Sequence, residues 1–279
     1  VTGCVPKYLE ELSPEISCDE NIRLLCFTPS GFLYDEFNKI FADIFGRQTK
    51  TYRKLVSLLA DGDLSASVIA KKLKLELSST LIEYLYNLEL SGFVSRDFRY
   101  EVGSKKSRIS TYRLKDNYLR FALKYILDSK LRSKFIESDF TSIDLLPNWD
   151  SILGLQIENF VYNHLSEIIR ALNLPSDQII SASPYFQKKT THNHGACQID
   201  LLIQTQEKNA YICEIKFRRR LTSKIITEVE KKISRLKKRR GWSYRPVLIY
   251  EGVIDPNEIH KFRTYFSRLI SLGALLRGL

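Results

Sequence analysis

Residues 197–217 read CQIDLLIQTQEKNAYICEIKF. Two apolar, partly β-branched runs, QIDLLIQ (198–204) and NAYICEIKF (209–217), flank the polar link Thr205-Gln206-Glu207-Lys208. So short a link between two such runs predicts an antiparallel hairpin. Strand side chains alternate between faces with a period of two. That period sets Ile199, Leu201 and Ile203 on one face of the first strand and Asp200, Leu202 and Gln204 on the other. On the second strand Tyr211, Cys213, Ile215 and Phe217 share a face, and Glu214 and Lys216 share the opposite one. With Asp200 paired beside Glu214, two carboxylates and an ammonium converge.

Converging carboxylates repel one another and favour a hard divalent cation. Mg²⁺ takes oxygen ligands and keeps several waters, so Asp200 and Glu214 form a candidate metal pair. Such an ion lowers the pKa of a bound water and stabilises charge on a phosphoryl oxygen. Lys216 is placed to orient that water or to stabilise the developing charge. Glu158 lies on the shoulder of the apolar face of a helix read over 154–172 and is a candidate to complete the site.

The flanking elements are α/β. A strand region at 179–186 is interrupted at Pro184, and the hairpin follows it. A long amphipathic helix is predicted over 222–239, with Ile225, Val229, Ile233 and Leu236 inward. A strand at 245–250 and a closing helix at 258–269 end the pattern. Upstream, residues 1–50 read as short helices without a core of their own. Three helices follow, at 51–60, 66–73 and 80–91, with Ser65 and Ser78 as cap candidates. Strand-like sequence on either side of Gly103-Ser104-Lys105-Lys106-Ser107 then makes a basic-tipped hairpin. Three helices and such a hairpin spell a winged helix-turn-helix, a fold that can set its third helix in the major groove and its wing on phosphate. Here the third helix carries Glu83 and Glu89 and no Lys or Arg, which argues against tight base reading. A further helix is read at 118–128. The organisation expected is therefore 1–50 helical, 51–130 winged helix, 131–150 connector and 151–279 α/β.

Composition bounds the function. The 279 residues carry 43 Lys and Arg against 32 Asp and Glu, a net charge of +11. Residues 1–200 balance at 25 and 25, whereas residues 201–279 hold 18 basic and 7 acidic side chains. A basic region attracts polyanions, and DNA is the partner it implies. Arg218, Arg219 and Arg220 follow the EIK strand directly, and Lys231, Arg235 and Lys238 recur about one turn apart on the next helix, a candidate phosphate track. Trp242 and Tyr244 are placed to stack on a base or to pack. His192, His194 and Cys197 are zinc-compatible types that lack an apparent fourth ligand, so they read as a polar loop. A G-x-S-x-G elbow is missing, which removes that form of serine hydrolase. Five cysteines without a CxxC pair favour a reducing, cytoplasmic setting. No apolar run approaches the length of a membrane span, which excludes a helical membrane protein. With no Met and a start at Val1, the chain reads as part of a longer protein.

Asp200, thirteen intervening residues and Glu214-Ile215-Lys216 resemble the PD-(D/E)XK nuclease pattern, with Ile199-Asp200 where its proline-aspartate pair stands. VTGCVPKYLEEL (1–12), the winged-helix segment, RLKDNYLRF (113–121), LGLQIENFV (153–161) and the hairpin are together similar to the C-terminal part of prokaryotic AAA-type ATPases of the archaeal-ATPase group. That resemblance implies a multi-domain α and α/β chain: the end of an ATPase lid, a winged helix, then a restriction-endonuclease-like domain. It implies Asp200, Glu214 and Glu158 as metal ligands and Lys216 as the group assisting the water. No G-x-x-x-x-G-K-[ST] occurs, so ATP binding is not expected of this chain; an ATPase partner would be a separate domain or polypeptide. Two readings stand: a Mg²⁺-dependent DNA nuclease, or a catalytically silent nuclease-like fold that binds DNA or regulates an ATPase.

Overall fold

The computed structural model describes residues 1–3, 5–103, 106–137, 142–187 and 195–277, without the side chains of 106–108 and 136–137. The chain divides into two compact units, one of Val1–Arg96 with Thr111–Gln156 and one of Asp97–Ser110 with Ile157–Leu279.

The first unit is helical. It holds α1 (Pro6–Glu10), α2 (Cys18–Ile22), α3 (Glu36–Phe45), α4 (Thr49–Leu59), α5 (Ala66–Leu73) and α6 (Ser79–Leu90). The hairpin β1 (Val94–Tyr100) and β2 (Lys106–Leu114) comes next, then α7 (Asn117–Phe121), α8 (Ser129–Glu137) and the start of α9 (Trp149–Asn163). Ser78 caps α6, its hydroxyl accepting the Leu81 N–H at 3.3 Å. Ser65 stands at the α5 N-cap without such a bond. One core runs through all of these pieces. Phe27, Leu33, Phe37 and Phe41 from the first fifty residues are buried with Leu55, Leu59, Leu85, Leu119 and Phe121. The 1–50 region, read from sequence as coreless, thus shares the core of the helices after it. The 131–150 segment contributes Phe135, Leu146 and Trp149 to the same core.

Arg120 fastens this unit internally. It is 1% exposed and donates to the carbonyls of Ala60 (2.7 Å), Leu114 (2.9 Å) and Leu59 (3.4 Å). A guanidinium offers five donors in a fixed fork, which suits carbonyls left over at a helix end and a strand end.

The second unit is α/β. It contains the rest of α9, then α10 (Leu165–Ala171), β3 (Ile179–Gln187), β4 (Cys197–Thr205), β5 (Asn209–Leu221) and α11 (Lys224–Arg235). It ends with β6 (Ser243–Ile254), α12 (Ile259–Tyr265), β7 (Arg268–Ser271) and α13 (Leu272–Leu276). The five strands lie in the order β3-β4-β5-β6-β7, antiparallel as far as β5 and parallel from β5 to β7. Helices cover both faces. Val161, Ile168 and Leu172 pack on Leu201, Ile203, Cys213 and Ile215, while Ile225, Val229 and Phe262 pack on Leu221, Leu248 and Ile254.

Several local readings change. The helix expected over 154–172 begins at Trp149 and breaks at His164, where φ is −122°. The closing helix expected over 258–269 is instead α12, an edge strand and α13, because the chain turns at Phe266 and the Ser267 N–H donates to the Pro246 carbonyl at 2.8 Å. The basic-tipped hairpin does not belong wholly to the helical unit. Its outer part, 97–110, groups with the second, where Val102 is buried among Tyr185, Ile199, Leu202 and Leu236. The Gly103 N–H donates to Gln204 Oε1 at 2.7 Å, and Arg239 donates to the Gly103 carbonyl. Among the described residues no helix is long and apolar enough to cross a membrane.

Arg120→Met should take the guanidinium donor away from three carbonyls of the first unit. We expect a loss of about 2–4 kcal/mol in the unfolding free energy of that unit, read as a lower urea midpoint. An unchanged midpoint would remove Arg120 from this structural role.

Candidate functional site

The register of the hairpin sets Leu201 opposite Cys213 and Leu202 opposite Ile212, so Asp200 and Glu214 occupy the next position along the pair. Strict alternation would give Ile199 the same face as Leu201. Instead Ile199 is buried with Leu202, and Leu201 with Ile203 lies on the other face. The cause is an irregularity in β4. Ser183 pairs with Leu202 and Tyr185 with Ile199, so three steps on β4 match two on β3. An extra residue of this kind breaks the alternation and re-aims side chains, as β-bulges do. It falls at Asp200 and Leu201.

Asp200 and Glu214 meet on the α11 side of the sheet. Glu214 is 1% exposed and Asp200 is buried. The ammonium of Lys232, from α11, lies 2.6 Å from Glu214 Oε2 and 3.3 Å from Asp200 Oδ1. The other Asp200 oxygen accepts the Ile215 N–H at 2.9 Å. Lys216 Nζ sits 2.8 Å from Glu214 Oε1 and 3.1 Å from Glu228 Oε2. The Lys216 approach to Glu214 is an ion pair whose alignment falls short of a hydrogen bond, so Glu214 Oε1 is buried without a well-directed donor. Tyr162 of α9 donates to the Asp200 carbonyl at 2.7 Å, which fixes the backbone of the bulge.

The electrostatics follow from burial. Loss of solvent, followed by the Glu214 charge, raises the Asp200 pKa; Lys232, the Ile215 N–H and Lys216 pull the other way. For Lys216 and Lys232, burial works to lower the pKa. The carboxylates beside them outweigh it, and both ammoniums end above their ordinary value. The two lysines therefore stay charged through the physiological range.

Of the residues singled out from sequence, Asp200, Glu214 and Lys216 come together. Glu158 is half-buried on α9, one turn before Tyr162, on the helix that packs against the opposite face of the sheet. Among the described residues no group of three or more His, Cys, Asp or Glu is arranged to hold a metal ion, so Glu158 does not close a three-carboxylate set with the other two. Asp200 and Glu214 alone remain as hard oxygen donors within reach of one cation. With a buried Glu214 oxygen short of a donor, they fit an ion such as Mg²⁺ that keeps most of its own waters.

Arg218, Arg219 and Arg220 are exposed near the end of β5, and Arg220 pairs with Asp255 at 2.7 Å. Gly252, at φ +122°, lets β6 pass beside this run, since a Cβ there would lie 1.7 Å from the Arg218 carbonyl. Lys231 and Arg235 are exposed on α11. Lys238 is not on that helix, which ends at Arg235 rather than at 239. Leu236 turns extended and is buried beside the sheet, and the Lys237 N–H goes to Gln187 Oε1 at 3.0 Å. Lys238 lies over the Tyr244 ring at 5.8 Å instead, and Trp242 and Tyr244 pack against the core. His192 and His194 lie outside the described residues, while Cys197 is buried with its thiol directed at the Lys232 carbonyl, 3.2 Å away. Sequence reasoning missed the central role of Lys232. The available signal was its spacing: three residues after Val229 and next to Ile233, at the edge of the inward stripe, and four after Glu228.

No family model matches the chain. The uncharacterized protein MJECL04 of Methanocaldococcus jannaschii is 26% identical over 219 residues, which cover 77% of this chain and 46% of that protein. The chain thus spans less than half of the length of this relative. Among solved structures, a repair endonuclease from Pyrococcus abyssi aligns over 50% of each chain, at 14% identity and a TM-score of 0.30. Protein VC1899 from Vibrio cholerae aligns over 93% of this chain and 54% of its own, at 13% identity and a TM-score of 0.33. Superpositions this loose leave the site to be read from this chain's own residues.

Lys232→Met removes the cation between two buried carboxylates. Because Lys232 is 26% exposed, we expect a loss nearer 2–3 kcal/mol than the roughly 3–5 kcal/mol of a fully buried pair. Adding Glu214→Gln to Lys232→Met should recover part of it, with a coupling of about 1 kcal/mol or more in a double-mutant cycle of urea midpoints. Additive effects would mean the three side chains do not act as one cluster.

Proposed function

We propose that the second unit is a divalent-metal-dependent domain that cleaves the phosphodiester backbone of DNA. The observation behind this reading is the shared Lys232 ammonium. Two carboxylates that both reach one ammonium, at 3.3 and 2.6 Å, are close enough to share a metal ion. Asp200 and Glu214 would hold Mg²⁺. When bound, the ion would supply charge stabilisation at a phosphoryl oxygen and acidify a water. Lys216, held between Glu214 and Glu228, would donate to such a water and to the charge that develops on the phosphoryl group. Arg218, Arg219, Arg220, Lys231, Arg235 and Lys238 take the phosphates on either side. The unit that contains them carries 25 basic and 13 acidic residues, a net +12. In this reading α4, α5, α6 and the hairpin are a winged helix-turn-helix that accompanies the nuclease-like domain, and an ATPase acts beside both.

A second reading is favoured by Lys232 itself. Its ammonium already bridges the carboxylate pair and, with Lys216, balances its two charges, a state that needs no metal. The domain would then bind DNA without cutting it, as a regulatory appendage of an ATPase.

With Mg²⁺ or Mn²⁺ the protein should nick or degrade DNA. Glu214→Ala and Lys216→Ala should each lower that rate by roughly 10²–10³-fold, the range for one lost electrostatic group, with DNA affinity retained. Salt-sensitive binding without cleavage on duplex, single-stranded and branched DNA would select the silent reading. Absence of binding at low salt would sink both.

A further inference from the structure

The first unit contains 18 basic and 19 acidic residues, a net charge of −1, yet α4 carries three cations and no carboxylate. The inward face of α4 is Tyr52, Leu55, Val56 and Leu59, all buried. Its other face presents Lys50, Arg53 and Lys54, and Arg47 precedes it by half a turn. These four side chains line a cleft of about 660 Å³ together with Leu58 of α4 and Leu73 of α5. No carboxylate lines it. Among the described residues none of the four cations is in an ion pair. Arg53 instead lies over the Phe37 ring, 5.2 Å from its centre.

The two hydroxyls in the cleft are already committed. Thr49 donates to the Phe41 carbonyl at 2.9 Å, and Ser57 donates to the Arg53 carbonyl at 2.7 Å. Selectivity therefore rests on the cations. Like charges three and four residues apart on a helix destabilise it by about 0.2–0.5 kcal/mol per pair, a cost that a bound polyanion reverses. A protein partner of ordinary affinity needs an apolar core within some 1,200–2,000 Å² of buried surface, and two leucines do not supply one. A phosphate backbone needs charge and little area.

We infer that the α4–α5 cleft binds the sugar-phosphate backbone of a DNA strand without reading its bases. It is distinct from the carboxylate site and does not depend on cleavage by the second unit. It also changes which helix of the first unit meets nucleic acid. The expected reader, α6, bears Glu83 and Glu89 and no cation, so phosphate approaches α4.

The test uses the full chain in EDTA, which separates binding from any metal-dependent cutting. Binding of labelled oligonucleotides of about 20 nucleotides, single-stranded and duplex, is titrated from about 50 to 200 mM salt. The variant is Lys50→Gln/Arg53→Gln/Lys54→Gln, whose new residues are good helix formers, with Lys39→Gln on α3 as a control outside the cleft. Circular dichroism checks folding, and Lys50→Glu/Lys54→Glu gives a second variant of opposite charge at exposed positions. The slope of log affinity against log salt should fall by about 1 per residue removed on whichever DNA form the cleft holds, and Lys39→Gln should match wild type. Slopes unchanged in both folded variants, on both DNA forms, overturn the inference while leaving the cleavage reading intact. Wild-type protein that binds neither form overturns it as well.

Discussion

Asp200 and Glu214 are neighbours in the interior of a sheet, and the arrangement stands only because a cation lies between them. At an effective dielectric near 20, a unit charge pair about 3 Å apart interacts by roughly 5 kcal/mol, attractive or repulsive. Lys232 turns that quantity from repulsion between carboxylates into attraction toward one ammonium. Much of the unit serves this placement. Strand period turns Asp200, with Leu202, toward α11, the bulge in β4 brings Ile199 to the same side, and Tyr162 holds the bulge by donating to the Asp200 carbonyl. Val229 on α11 and Leu236 just past its end are buried against the sheet on either side of Lys232 in sequence.

Charge is distributed by folded unit rather than by sequence half. The sequence places the whole +11 after residue 200. The units themselves carry −1 and +12, because segment 97–110, net +2, and segment 157–200, net −1, fall with the second. A wing built to rest on phosphate would need a tip free of its own protein. Here Val102 and Gly103 are engaged by Leu236, Gln204 and Arg239.

What was legible in the sequence was what local pattern controls. The β4–β5 hairpin follows from two apolar runs and a short polar link. The shared face of Glu214 and Lys216 follows from strand period, and β5 keeps that period through the site. The illegible parts depend on partners distant in sequence. Nothing within QIDLLIQ announces a bulge, since the register shift is defined by β3. The end of α11 was invisible because LKKR continues a helical pattern, while Leu236 leaves it to fill a pocket against Ile199 and Ile212. The edge strand β7 is four residues, too short for a periodic signal, and is fixed by pairing with Val247–Tyr250. Lys232 was hidden for a related reason. In a run of basic residues each lysine resembles the next, and only the 100° step from Lys231 turns one toward solvent and the other toward the carboxylates.

The charges around the site bear on how a divalent ion would enter it. Asp200, Glu214 and Glu228 supply three negative charges, and Lys216 and Lys232 supply two positive ones. The set carries −1 as it stands. A divalent cation added with Lys232 in place would leave +1 in a largely buried cluster, whereas one that took the place of the Lys232 ammonium would leave it neutral. Burial penalises net charge, so exchange is the cheaper route. Lys232 is suited to leave because its side chain is partly exposed and its stem is flexible, so the ammonium can swing to water or to a nearby phosphate. The residue that makes the metal-free cluster stable is, on this argument, also the one whose departure would make room for an ion.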